Sequence, residues 1–276
     1  MKYAVLILFI FFTSACSRSS LFVQFFDDLA VSKTDDYFDL SSQQRDELRE
    51  SLQKDVKAIK KELLPEVAKT LRHIEPEVRK DKINAEVVAT HFAEFQNYFK
   101  KLSSYFKNTA IKTSLTLKSE QYDHFAKVLR EEIKETQEDN QDPEDSLKLT
   151  LKRYRRSIEF WVGGLSSEQK EKIKKFVEAH PYPWKLQNQS KEFVLKQFLE
   201  SRPDPEKLKK FVTNFYDDYE SVRLPKFTLA LNEHKRAFQK FLLDEFWQSL
   251  SKEQKSNLKE NLLARAEELE QIAQKP

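Results

Sequence analysis

The 276-residue chain has only 2 glycines, and they are neighbours, Gly163 and Gly164. So little glycine leaves few places for the positive-φ turns of tight hairpins or for loops that cradle phosphates, which excludes Rossmann-type and P-loop nucleotide sites. Cysteine is scarcer still: Cys16 stands alone, so no disulfide can form within the chain. A charge excess of one sign is also missing. Lysine and arginine number 48 against 45 aspartates and glutamates, for a formal net charge of +3, and the two signs are interspersed. A chain without a block of positive charge has no stripe matched to a phosphate backbone, so no nucleic-acid partner is expected. Nor is there an apolar run long enough to span a bilayer. The run Tyr3-Ala4-Val5-Leu6-Ile7-Leu8-Phe9-Ile10-Phe11-Phe12 makes a helix of roughly 15 Å, half of the ~30 Å hydrocarbon core.

What the chain has in quantity is large rings, with 22 Phe, 9 Tyr and 3 Trp, and a repeated word that starts helices. The word reads Leu40-Ser41-Ser42-Gln43-Gln44, then Leu117-Lys118-Ser119-Glu120-Gln121, Leu165-Ser166-Ser167-Glu168-Gln169 and Leu250-Ser251-Lys252-Glu253-Gln254. In three copies a serine stands at the N-cap with a glutamine three residues on, the reciprocal arrangement of a capping box. Lys118 holds the cap position in the second copy and has no side-chain acceptor, so that start is expected to be weaker. The copies begin at 40, 117, 165 and 250, at intervals of 77, 48 and 85 residues. These are too unequal for a solenoid, and the similar first and third intervals suggest two related halves.

The amino terminus carries the clearest functional signal. Lys2 precedes the short apolar run, and Ser14-Ala15-Cys16 follow it, so the segment reads as the core of a signal peptide and not as a spanning helix. It resembles a bacterial lipoprotein signal, with Ser14, Ala15 and Cys16 on the lipobox pattern and Thr13 where leucine is usual. The resemblance implies that residues 1–15 are cleaved and that Cys16 becomes the acylated, palmitate-bearing first residue. Each buried methylene contributes about 0.8 kcal/mol, so several acyl chains hold a protein to a membrane without a transmembrane segment. An ordinary secretory signal with a chance cysteine, or an uncleaved anchor, is the alternative. Ser17 and Arg18 follow with no aspartate, which by resemblance to the sorting pattern of diderm bacteria implies the outer membrane, facing the periplasm.

The rest reads as helices. Residues 16–36 are expected to be a lipidated terminus with a short apolar helix through Leu21, Phe22, Phe25, Phe26 and Leu29, packing on the body or lying on the membrane. Residues 37–276 are expected to be an all-helical periplasmic domain. In it Asn84 caps a helix whose Val88, Phe92, Phe95, Phe99, Leu102 and Phe106 recur at helical spacing. Pro65 predicts a kink or restart. The acidic stretch from Glu135 to Asp142 is either a connection between two lobes, with a boundary near 135–145, or an exposed loop. Asp142-Pro143 and Asp204-Pro205 are helix starts. Lys152, Arg153, Arg155 and Arg156 form a basic cluster beside the acidic stretch, read as a solvated, salt-linked surface, with an anion site as the alternative. No segment alternates at the strand period, so the expected fold class is all-α, a multi-helix bundle.

Searching for chemistry yields no catalytic constellation. His73, His91, His124, His180 and His234 lack a second histidine or cysteine at helical spacing, so no metal site and no cofactor are expected. His91 with Glu94 is read as an ordinary contact. There is no Gly-x-Ser-x-Gly word, and an acylated Cys16 leaves no thiol.

The lipobox cysteine, Asp36-Tyr37-Phe38-Asp39-Leu40-Ser41 leading to Gln44-Arg45, Glu62-Leu63-Leu64-Pro65 closing that helix, and Trp161 shortly before the third word together resemble a proteobacterial lipoprotein family, domain of unknown function 6279. Ser42, where the family often has proline, and Lys118 depart from its pattern. The resemblance implies a lipid-anchored helical protein and no assigned activity. The Leu-Ser-x-x-Gln word alone is also similar to that of small periplasmic chaperones of the Spy and CpxP type. The resulting expectation is a non-enzymatic outer-membrane lipoprotein, held to the membrane through lipid on Cys16, that binds another envelope protein. A holdase-type chaperone and an enzyme with an unrecognised site are the alternatives.

Overall fold

The computed structural model describes residues 25–78 and 84–275, which form an all-α, multi-helix bundle with no strand among the described residues. The expected signal peptide at 1–15, the expected lipidation site Cys16, and Leu21 and Phe22 of the expected apolar helix lie outside the described residues.

Helix α1 (Phe26–Phe38) ends at Asp39, which adopts the left-handed conformation at φ 50. Asp35 ties this turn to the first word: its carboxylate accepts from the Leu40 N–H at 2.7 Å and from the Arg45 guanidinium at 3.2 Å. Helix α2 (Ser42–Ala58) continues through a π-helical turn, Ile59–Leu63, into α3 (Leu64–Val78). The expectation that Glu62-Leu63-Leu64-Pro65 closes the helix is therefore corrected. Proline cannot donate a ladder hydrogen bond and its ring crowds the carbonyl four residues back. Here the wider turn just before it, with the Leu64 N–H reaching the Ile59 carbonyl, carries the chain past Pro65 without a break.

Helix α4 (Ala85–Tyr105) starts at Asn84, whose side chain accepts from the Glu86 N–H at 2.9 Å, as the sequence predicts. A short α5 (Lys107–Thr116) leads to the second word and α6 (Ser119–Asp139). α6 runs through most of the acidic stretch. Thr136 is fully buried, the Asn140 amide donates to its carbonyl at 2.7 Å, and only 140–142 form the turn into α7 (Pro143–Val162). Asp142 caps α7, accepting from the N–H groups of Glu144 and Asp145, with Pro143 in the first turn. The remaining elements are α8 (Ser167–Ala179), α9 (Trp184–Ser201), α10 (Pro205–Asp217), α11 (Tyr219–Val222), α12 (Pro225–Phe241) and α13 (Lys252–Gln274). A second π turn, Leu242–Phe246, and a 3-10 turn, Trp247–Ser249, join α12 to the fourth word.

The helices interlock across the 140–142 turn. α13 lies along α3, α9 along α6, and α10 against α5 and α4. The α3–α13 contact buries Val67, Ala68 and Leu71 against Leu262, Ala266 and Ile272, and the two alanines, both at 0% exposure, allow close approach of the helices. A second core is aromatic: Phe176 stacks on Phe241 at 4.8 Å and packs against Tyr154, His234 and Phe238. A third joins α1 to α6, where Phe38 stacks on Phe125 with centroids 4.5 Å apart.

Candidate functional surfaces

The repeated word does more than start helices. In the first turn the glutamine three residues after the cap turns its Oε1 back to the cap N–H: Ser41 to Gln44 at 2.9 Å, Ser166 to Gln169 at 2.9 Å, Ser251 to Gln254 at 3.0 Å. At the second word Lys118 donates its backbone N–H to Gln121 at 2.9 Å, but its side chain accepts nothing, so only half of the reciprocal pair forms. This geometry leaves each amide Nε2 free, and the fold spends it on a second word. Gln169 and Gln254 exchange hydrogen bonds in both directions, at 2.8 and 2.9 Å, and Gln44 and Gln121 do the same at 3.1 and 2.9 Å. Each Nε2 also donates to a carbonyl two residues before the partner's cap: Gln44 to Thr116, Gln121 to Asp39, Gln169 to Ser249 and Gln254 to Gly164. The first word thus pairs with the second and the third with the fourth, as two pseudo-symmetric glutamine clasps. Both are structural, and every amide hydrogen and oxygen in them has a partner.

The Gly163-Gly164 reversal is held from α13. Gly163 has φ +83. The carbonyls left open at the end of α7 accept from Asn257, which reaches Val162 at 3.1 Å, and from Asn261, which reaches Trp161 at 2.8 Å.

The histidines do not assemble a site. His91 Nδ1 meets Glu94 at 2.9 Å, the ordinary contact expected, and His124 approaches the Asp36 carbonyl at 3.3 Å. Among the described residues no group of three or more His, Cys, Asp or Glu side chains is arranged to hold a metal ion. His234 is 7% exposed, shares a hydrogen bond with the Tyr154 hydroxyl and touches the Tyr182 ring at 5.4 Å. Burial lowers the His234 pKa, and the nearby His180 charge adds to that effect, while contact with the His180 backbone opposes it. Burial likewise raises the phenols of Tyr154 and Tyr182 and carries Tyr219 up to about 12. These hydroxyls stay protonated at neutral pH and serve as hydrogen-bonding groups, not as bases.

The basic cluster on α7 departs from expectation. The acidic residues near it are engaged elsewhere: Asp142 in the helix cap, Glu138 with Lys134 at 3.8 Å, and Glu144 and Asp145 with Lys148 at 3.0 and 3.4 Å. Among the described residues Lys152, Arg153, Arg155 and Arg156 make no ion pair. The direct ion pairs of a salt-linked surface are therefore not what the fold builds: burial lowers the Arg153 pKa, and the Tyr182 and Asp139 charges oppose that only from a distance. Arg153 instead lies over the Trp184 ring, 4.5 Å from its centroid.

Two apolar surfaces remain. Among its described side chains α4 has none fully buried: Val88, Phe92 and Phe95 are half-buried and Phe99 is 37% exposed. Between α6 and α9 runs an open groove with Ala126, Leu199, Phe193 and Leu224 on its floor, bridged by Arg130 and Glu192 at 3.1 Å. Near the amino terminus Phe26 packs on Phe106 at 5.6 Å while Phe25 and Leu29 face outward at 49% and 47% exposure. The first helix thus packs on the body by one side only. Among the described residues no helix is long and apolar enough to cross a membrane.

Residues 36–227 match the model of a family described as a family of unknown function, DUF6279. No curated protein matches, and no solved structure matches.

Proposed function

The chain belongs to the DUF6279 family of unknown function, and from that premise we propose that it is a non-enzymatic lipoprotein of the outer membrane, facing the periplasm, that binds another envelope component. The observation that carries this reading is Ser14-Ala15-Cys16 placed directly after a short apolar run behind Lys2. The α6–α9 groove and the α4 stripe support the binding half of it, since each leaves an exposed ring, Phe193 at 38% and Phe99 at 37%, beside residues that pack into the core. The Cys16→Ala variant is expected to lose incorporation of labelled palmitate and to move from the membrane fraction to the soluble envelope fraction. A variant that stays membrane-bound, or a wild type that takes up no label, would refute the anchor. A crosslinked envelope pull-down that yields no partner above background would count against the binding half.

The half-exposed aromatic stripe of α4 favours a second reading, a holdase-type chaperone. Stripes of phenylalanine at helical spacing offer an adaptable apolar surface to unfolded chains. The purified protein at an equimolar ratio is then expected to slow aggregation of a reduced client, and Phe92→Ser with Phe99→Ser to weaken that effect. Identical aggregation curves with and without the wild type would end this reading.

A further inference from the structure

Lys152, Arg153, Arg155 and Arg156 lie within one stretch of α7. At 100° per residue they fall within an arc of roughly 160°, so they form one face of the helix. On the flank nearest α9, Lys185 follows Trp184 and is also exposed and without an ion pair among the described residues. Arginines elsewhere are mostly matched to carboxylates: Arg45 to Asp35 at 3.2 Å, Arg72 to Glu270 at 2.7 Å, Arg130 to Glu192 at 3.1 Å and Arg202 to Asp123 at 3.5 Å. On α7 none is. Glu159, one turn further along, pairs with none of the three arginines.

Two details set this face apart from an ordinary solvated one. The Arg155 Nε is buried without an acceptor. The Arg153 guanidinium is stacked 4.5 Å from the Trp184 ring centroid, whose indole N–H is fixed on Thr150 at 3.2 Å. A stacked guanidinium gives up hydration on its faces while its in-plane N–H donors stay available for a bidentate acceptor. Partial burial of these cations with no direct ion pair among the described residues, and only the more distant Asp139 charge acting on Arg153, is a cost that an anionic partner offsets.

We propose that the cationic face of α7, with Trp184 and Tyr182 at its edge, docks on the phosphate-bearing surface of a bilayer containing anionic phospholipids. Several cations on one face with an aromatic rim suit a plane of phosphate groups, where Arg takes phosphate oxygens and Trp and Tyr sit at headgroup level. The proposal rests on the anchoring reading only in that the lipid on Cys16 keeps such a surface within reach.

The test uses the full chain carrying Cys16→Ala, so that acyl chains contribute nothing, co-sedimented with vesicles of phosphatidylcholine alone or of phosphatidylcholine with phosphatidylglycerol. The apolar leader acts on both vesicle types alike, so the readout is the ratio between them. Binding is expected to favour the anionic vesicles, to weaken with added salt, and to fall about 30-fold in the Arg153→Gln, Arg156→Gln double variant, from about 1 kcal/mol per cation at an anionic surface. The charge-matched pair Lys196→Gln, Lys209→Gln is expected to bind as before. Equal binding to the two vesicle types overturns the proposal, and so does an equal loss in the charge-matched pair. Saturable binding of inorganic phosphate with no preference for anionic vesicles would mean a free-anion site instead, and also overturns it. Palmitate labelling of the wild type is scored separately, so a failed anchor and a failed docking face are told apart.

Discussion

Replacing Gln169 by glutamate separates a helix cap from a clasp. If the residue only completes a capping box, glutamate serves as well as glutamine, and its charge near the helix N-terminus adds about 0.3–1 kcal/mol of stability. The clasp predicts the opposite sign. Gln169 is 2% exposed, and its Nε2 donates to the Ser249 carbonyl and to Gln254 Oε1, both at 2.8 Å. A carboxylate keeps the bond from the Ser166 N–H but turns those two contacts into oxygen facing oxygen. Each stranded buried acceptor costs about 1–3 kcal/mol, so the variant should lose about 3–5 kcal/mol, a large part of the 5–15 kcal/mol typical of a folded chain. The loss should depend on pH. A carboxyl held among acceptors has its folded pKa raised above the unfolded value of about 4.3, because the protonated form recovers an O–H donor. The deficit is then full at neutral pH and shrinks as pH falls through the raised folded value. Urea midpoints of wild type and Gln169→Glu, followed by far-UV circular dichroism near pH 7 and near pH 4.5, measure both effects. Gln44→Glu in the half-exposed first clasp should lose only about 1–2 kcal/mol, since water replaces the missing donors there. A Gln169→Glu variant as stable as wild type at neutral pH would refute the clasp as an energetic element.

Gly163→Ala should cost about 1–3 kcal/mol, because φ is +83 and an added Cβ would meet Asn257 Nδ2 at 2.8 Å. Gly164→Ala, where nothing lies within 4 Å, should stay within about 0.5 kcal/mol, and equal losses in urea unfolding would contradict this assignment. Burial holds the His234 pKa below its ordinary 6.5, so the unfolded chain takes up a proton before the folded one does. Stability from this source is present above 6.5 and is lost as pH falls from there to the folded value. His234→Phe should flatten the urea midpoint against pH over that window, and an unchanged slope would show that the neutral buried imidazole is not its origin.

How much of this was legible in advance differs by element. The caps at Ser41, Ser166, Ser251, Asn84, Asp142 and Asp204, and the weak start at Lys118, follow from local chemistry that acts within one turn. So does the helical class. At Pro65 the expected restart takes the form of a π turn, Ile59–Leu63, with the α-helix resuming at Leu64, because the wider turn escapes the rule against proline within an α ladder. On polarity the acidic stretch reads as a connection between lobes or an exposed loop, whereas Thr136 and Ile133, buried at helical spacing, keep α6 going to Asp139.

The sequence by itself determined where helices start, which residue types fill their stripes, and that no glycine-rich loop exists, because each depends on neighbours a few residues apart. Only the tertiary structure decided which word clasps which, that α13 caps the end of α7 through two asparagines, and that the α7 cations make no direct ion pair among the described residues. Those outcomes depend on groups some 80–100 residues apart in the chain, brought together by burial of apolar surface, which favours contact without naming the partner.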